Sequence, residues 1–150
     1  MASSDTRRAK RMAIVEEHCR VENSHDLDAL MRTFGDKTTF SLNDERHEGR
    51  EAVRNLYAEF FHGFPDLKFE IKHVHIADDA IPVEMLLSGT HTDTWRGIPA
   101  TGRRFEIPLC AVFIFDQNDK IAGERGYFDA ALMLRQLGLG ADESGVPRTG

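Results

Sequence analysis

Only two cysteines occur in the 150 residues, Cys19 and Cys110. Two are too few for a disulfide framework, and both fall in segments with the pattern of core elements, so they read as small buried fillers. Long apolar runs are missing as well. Nothing approaches the roughly 20 residues that span a bilayer, and the N-terminus, MASSDTRRAK, has no apolar signal-peptide core. The expectation is a cytoplasmic protein with no membrane partner. A basic stripe is also absent. Nineteen Lys and Arg stand against 25 Asp and Glu, for a net charge of -6, whereas a nucleic-acid surface needs clustered cations. The most basic run, Arg7, Arg8, Lys10 and Arg11, lies at the extreme N-terminus and reads as a solvated helix start. There is no G-x-G-x-x-G, no P-loop, no nucleophilic-serine motif, no H-E-x-x-H, no internal repeat and no low-complexity segment.

What remains is an ordinary globular composition, 41% apolar and 29% charged, enough for one domain with its own core. The domain is expected over residues 1–139, with the Gly-rich, polar stretch 140–150 as a loose tail. Apolar spacing predicts a helix from Thr6 to about Asn23 (Met12, Val15, Cys19) and a short one through Leu27, Leu30, Met31 and Phe34. The clearest helix is GREAVRNLYAEFFHGFP, where Val53, Leu56, Tyr57, Phe60 and Phe61 form one apolar face and Gly63 and Pro65 end it. Two short strands, KTTFSL and ERHEG, precede it around Asn43-Asp44. Four strand-like runs follow: LKFEIKHVHIA, IPVEMLLSGTHTDTW, RRFEIPLCAVFIFD and KIAGERGYFD. A short helix from Asp129 to Leu137 closes the chain at Gly138. This order gives an α+β fold, a curved and mostly antiparallel sheet wrapped around helices with an apolar cavity between them. The uncovered convex face is then a candidate homodimer surface.

Side chains alternate along a strand. In GERGYFD, Arg125, Tyr127 and Asp129 share one face and Glu124, Gly126 and Phe128 the other. Asp129 is open to two readings, a helix cap or a carboxylate at the cavity floor. His91, read as mid-strand with Gly89 and Asp93 on its face, is either a structural histidine or a group that donates to an oxygen or exchanges protons. Trp95 either closes the cavity mouth or packs. His73 and His75 have His-x-His spacing, but no third metal ligand accompanies them. Asn23 and His25, with His18 a turn or two earlier, end the first helix as caps or as cavity lining. Phe40, Tyr57 and Phe60 are candidate apolar lining, with core packing as the alternative.

Together, WRGIPATGRRFEIP and FIFDQNDKIAGERGYFDAALMLRQLG resemble the SnoaL-like polyketide cyclases of the NTF2-like superfamily, a cone-shaped α+β barrel. The resemblance rests on Gly97, Pro99, Thr101 and Gly102, then Lys120 and Ile121, Asp129, and Gln136-Leu137-Gly138. ENSHDLDALMRTF and EGREAVRNLYAEFFHGFPDLKF extend it over roughly residues 12–139. It implies cofactor-free and metal-free acid/base chemistry on a hydrophobic, carbonyl-bearing small molecule such as a polyketide. Asp129 would take a proton from an activated carbon, and the enolate would close a ring. His91 and Tyr127 would steady the enolate oxygen, while Arg125 would tune Asp129 or bind an anionic group. The family's polar partner on the next-to-last strand has no counterpart between Ile107 and Phe115, so that partner is either missing or supplied by His91 from a neighbouring strand, and Arg125 stands where the family tends to carry a Trp. Two alternatives accompany this reading. The stretch ERGYFD also resembles limonene-type epoxide hydrolases, with Asp129 matching one of their Asp residues, but their Arg-x-Asp pair has no match on PVEMLLSGT, where Glu84 is the only charge. A non-catalytic small-molecule-binding protein needs the cavity alone.

Overall fold

The computed structural model describes residues 3–140; residues 141–150 of the expected tail lie outside the described residues. Helix α1 (Ser4–Ser24) opens with the Ser3 side chain accepting from the Thr6 N–H, and ends where His25 turns left-handed at φ 59°. Helix α2 (Leu27–Met31) is capped by Asp26, whose side chain accepts from the Ala29 N–H. Strands β1 (Phe34–Leu42) and β2 (Glu45–Glu48) form a hairpin, then helix α3 (Arg50–Gly63) follows. Strands β3 (Lys68–Val74), β4 (Ala80–Thr90), β5 (Arg104–Phe115) and β6 (Ile121–Phe128) come next, and helix α4 (Ala130–Gln136) closes the order.

One six-stranded sheet holds the strands in the order β2-β1-β6-β5-β4-β3. All neighbours are antiparallel except β1 and β6, which run parallel. Burial alternates strictly along the two long central strands. Ile81, Val83, Met85 and Leu87 of β4, and Phe105, Ile107, Leu109, Ala111 and Phe113 of β5, all point into the core. Each of these side chains larger than that of Ala111 contributes roughly 1.5–3 kcal/mol by leaving water. The core lies between this face and the helices, which bring Val15, Cys19 and Val21 from α1 and Val53, Leu56, Tyr57 and Phe60 from α3. The outward face keeps an apolar component. Tyr127 is half exposed there, beside Leu86, Pro108 and Cys110.

Three boundaries differ from the sequence reading. β1 begins at Phe34, so the second helix is a single turn and Phe34 is a strand residue. β3 stops at Val74, where a register shift between Ile71 and His73 disturbs the edge. β4 stops at Thr90, which puts His91 in a connecting loop instead of mid-strand. The chain leaves the ladder there because the Thr92 and Asp93 N–H groups donate to the Gly63 carbonyl at the end of α3. No helix among the described residues is long and apolar enough to cross a membrane.

Candidate functional site

The curve of the sheet over α1 and α3 leaves an apolar cleft. Phe40, Leu42, Tyr57, Phe60, Phe69, Phe128 and Met133 contribute to its wall, together with one ionisable carboxyl group, that of Glu124. Gly126, next but one along β6, gives the cleft part of its room. A Cβ there would lie 3.0 Å from Leu42 Cδ1 and 3.7 Å from Phe40. The open volume is about 40 Å³, room for only a few waters, so a larger molecule enters only as side chains at the mouth move.

Behind Glu124 lies a buried polar cluster built from four elements. α1 places His18 and Glu22 four residues apart, hence on one helix face. Both are buried in the same stripe as Val15 and Cys19. The turn between α2 and β1 supplies Thr33, α3 supplies Tyr57 and β6 supplies Glu124. The Tyr57 hydroxyl donates to Glu124 Oε2 at 2.7 Å. His18 Nε2 lies 2.9 Å from Glu22 Oε2, 3.6 Å from Glu124 Oε2 and 3.4 Å from the Tyr57 hydroxyl. On the other side of the ring, Nδ1 lies 2.9 Å from Thr33 Oγ1. Two carboxylates this close in an apolar setting cannot both ionise cheaply. Burial, more than anything else, pushes the Glu124 carboxyl up to about 7; the nearby His18 works against that and Glu22 adds to it. Burial pulls His18 down, but the hydrogen bond to Glu22 and the charges of Glu124 and Glu22 outweigh it and leave the ring more basic than usual. Burial, then the same two carboxylates, raise the Tyr57 phenol well above its ordinary range, so it remains a donor.

The residues expected from the sequence fall in different places. Phe40, Tyr57 and Phe60 do line the cleft. Asp129, Tyr127 and Arg125 do share a strand face, but that face points outward, and the inward face is Glu124, Gly126 and Phe128. Asp129 is exposed, and its Oδ1 accepts from the Leu132 N–H at 2.9 Å as the N-cap of α4. The expectation of an Asp129 base flanked by Tyr127 and Arg125 inside the cavity is corrected by this parity. His91 is fully buried and is not part of the cleft wall. It stacks on Phe64, and its Nδ1 lies 3.1 Å from Thr101 Oγ1. Trp95 is packed between Phe60 and Phe64 beneath Arg96, and does not border the cleft. Asn23 joins α1 to the sheet edge, its amide bonding both the N–H and the C=O of Phe69. His25 Nε2 bonds the Leu67 carbonyl and its ring stacks on Phe61. His75 pairs with Glu84 on the surface.

Glu124 and Glu22 were not singled out from the sequence. One signal was available for Glu22 and His18: two polar residues at i and i+4 inside an otherwise apolar helical stripe. The donor atoms of His18, Glu22 and Glu124 all lie within 4.8 Å of one another.

A cone of sheet around three N-terminal helices, closed by a short C-terminal helix over an apolar cleft, is the NTF2-like α+β arrangement. Within that class the chain belongs to the SnoaL-like polyketide cyclase family, whose pattern matches residues 13–137. Solved structures agree on the fold. A protein of Jannaschia sp. CCS1 assigned to the SnoaL-like polyketide cyclases is 19% identical, with a TM-score of 0.79 over 87% of this chain and 92% of its own. A protein with a ketosteroid isomerase-like fold from Catenulispora acidiphila DSM 44928 is also 19% identical, with a TM-score of 0.69 over 83% and 92%. The epoxide hydrolase/cyclase-like enzyme SalBIII of salinomycin pyran-ring formation is 22% identical, with a TM-score of 0.71 over 83% and 94%. At these identities the likeness carries the fold alone. No curated relative matches the sequence. Family membership supports a cyclase- or isomerase-type role.

Proposed function

We propose that the protein is a cofactor-free acid/base catalyst of a cyclase or isomerase reaction on a hydrophobic carbonyl compound, with Glu124 as the acid/base in place of Asp129. One observation carries this reading. Among the described residues Glu124 is the only ionisable carboxyl on the apolar cleft wall, and it is held there by the Tyr57 hydroxyl at 2.7 Å. A carboxyl whose proton affinity is pushed to about 7 is matched to proton transfer near neutral pH. In the step that follows, a C–H bond beside a carbonyl breaks. Its proton goes to the Glu124 carboxylate and its electron pair forms an enolate. Once Glu124 is protonated, the Tyr57 hydroxyl is free to donate to the enolate oxygen. The enolate carbon then bonds to a second carbonyl carbon of the same molecule, and that oxygen takes the proton back from Glu124. Atoms and protons balance without a cofactor, and the apolar walls hold the chain folded for attack.

The test is α-proton exchange into D2O of an aryl-substituted 3-oxo ester, followed by proton NMR, with binding monitored on the same sample. Exchange above buffer that is lost in Glu124→Gln and kept in Asp129→Ala supports the reading. A compound that binds without accelerated exchange sinks it.

A second reading, non-catalytic capture of a small organic cation, is favoured by the aromatic wall. Phe40, Tyr57, Phe60, Phe69 and Phe128 surround a single carboxyl group, an arrangement suited to cation–π binding. The Catenulispora protein was solved in complex with trimethylamine. Epoxide hydrolysis gains less support, since Asp129 and Arg125 both sit outside the cleft. Self-association through the outward sheet face around Tyr127 is also proposed. Sedimentation of the wild type and Tyr127→Asp would test it, with a dimer lost in the variant as the supporting result.

A further inference from the structure

The proton arrangement of the buried cluster can be worked out from its heavy atoms, starting at Thr33. Its hydroxyl donates to the Leu30 carbonyl at 2.6 Å. A hydroxyl has one proton, so Thr33 Oγ1 can only accept from His18 Nδ1, 2.9 Å away. Nδ1 therefore carries a proton whatever the state of the rest. The remaining ring nitrogen, Nε2, faces three oxygens. The Tyr57 hydroxyl has its own proton committed to Glu124, 2.7 Å distant. That leaves the Glu22 and Glu124 carboxyls, at 2.9 and 3.6 Å. Glu22, His18 and Glu124 are all at least nine-tenths buried, and no Lys or Arg among the described residues pairs with any of them. The other titratable neighbours are Tyr57 and the Cys19 thiol, which burial pushes up and out of its reactive range. The rings of Phe34 and Phe113 meet His18 edge-on and close its remaining sides. Two buried carboxyls with no other cation within reach need a positive partner if either is to ionise.

We propose that His18 is held as a permanent imidazolium, locked by Thr33 on one side and Glu22 on the other, and that this buried cation is what lets Glu124 exist as a carboxylate and act as a base. His18 and Glu22 are positioning residues, acting through Glu124. The pair is neutral as a unit, so the charge of the site changes only when Glu124 gains or loses its proton. The arrangement also gives Glu22 a role inside the core: without it, desolvation would strip His18 of its charge. This inference rests on the Glu124 reading for its catalytic meaning, but not for its geometry.

The experiment is nitrogen-15 NMR of the histidine-labelled full chain at pH 7, with His18→Gln to assign the signals. Expected is an imidazolium pattern at His18, both ring nitrogens protonated, changing in Glu22→Gln to a neutral ring with the proton on Nδ1. A neutral His18 ring in the wild type overturns the proposal. So does a Glu22→Gln ring that stays fully charged. Should Glu22→Gln fail to fold, Thr33→Val replaces it. There the Nδ1–H loses its acceptor, and the charged form should weaken. In the α-proton exchange assay, His18→Gln should lower the rate at pH 7 roughly fivefold and regain most of it at higher pH, because the acidic limb moves up by about one unit. Equal loss at every pH would mean a structural role only. The two readings fail separately. A neutral His18 with exchange still lost in Glu124→Gln removes this proposal and leaves Glu124 as the base; a cationic His18 with exchange intact in Glu124→Gln does the reverse.

Discussion

Glu124 and Asp129 lie five residues apart on and just beyond the same strand, and their surroundings are opposite. Glu124 points inward and is 5% exposed, with Tyr57 donating to it and His18 behind it. Asp129 is exposed, one residue past the end of the strand, and its carboxyl is occupied by the Leu132 N–H of the helix it starts. Both are acids near an apolar cleft. What separates them is strand parity: even-numbered residues from Glu124 to Phe128 face the cleft, and the odd-numbered Arg125 and Tyr127 are exposed. An acid at a strand-to-helix junction is well placed to cap, whereas an acid on the inward face must find buried partners or stay protonated.

Exchanging the two roles gives the largest expected effect. Glu124→Gln should reduce α-proton exchange by about 10²–10⁴-fold, the usual worth of a general base, while Asp129→Ala leaves it within a few-fold. The reverse ranking would show that the cap is also the catalyst. Tyr57→Phe should follow, with roughly a 10- to 100-fold loss, as the donor to the enolate oxygen disappears. It should also make Glu124 harder to ionise, since the Tyr57 hydrogen bond holds its proton affinity down.

Stability should separate the two acids in a different way. Glu124 has a folded pKa of about 7 against an ordinary 4.5. The native state thus binds its proton more tightly than the unfolded chain, and stability is lost as pH rises between those values. His18 is also raised from 6.5, so above that value the unfolded chain releases a proton that the folded ring keeps, and the His18 contribution falls as pH rises. Both trends run the same way. The wild type should be less stable at pH 8 than at pH 5 by on the order of 2–3 kcal/mol, and Glu124→Gln should flatten the dependence. Thermal melts across that range would check it, and a melting temperature that rises with pH would count against the buried cluster. Asp129→Ala should instead lower stability by about 1 kcal/mol through the lost cap. The smallest effect concerns metal. If the cluster is closed by protons, prolonged dialysis against EDTA leaves exchange and melting unchanged; a loss restored by a single divalent ion would mean that His18, Glu22 and Glu124 hold a cation.

The same comparison shows what the sequence could reveal. The fold was legible because its signals are periodic: Val53, Leu56, Tyr57 and Phe60 at helical spacing, and the alternation of β4 and β5. Phe40, Tyr57 and Phe60 were legible as wall because large aromatics on inward faces have few other places to go. The polar cluster was not. Alternation divides GERGYFD into two sets of residues, but which set faces inward depends on how β6 pairs with β1 and β5, and those partners lie 80 or so and about a dozen residues away in the chain. The resemblance points to Asp129, and alternation alone gives Glu124 no priority over it. His91 was misplaced for a related reason. The β pattern continues to Trp95, but the Gly63 carbonyl captures the N–H groups of Thr92 and Asp93 and ends the strand. Glu22 lies in a helix whose overall pattern is polar, where its one sequence signal is the i, i+4 spacing with His18 beside Val15 and Cys19.

The central claim is that Glu124 is the proton-transferring group of the cleft, and a carboxyl carbon-13 titration of the full chain tests it most directly, with Glu124→Gln assigning the signal. The account predicts a midpoint near 7 for Glu124, moving when an aryl-substituted 3-oxo ester is added. A midpoint near the ordinary 4.5, unmoved by the ester, would contradict it and leave the cleft without its base.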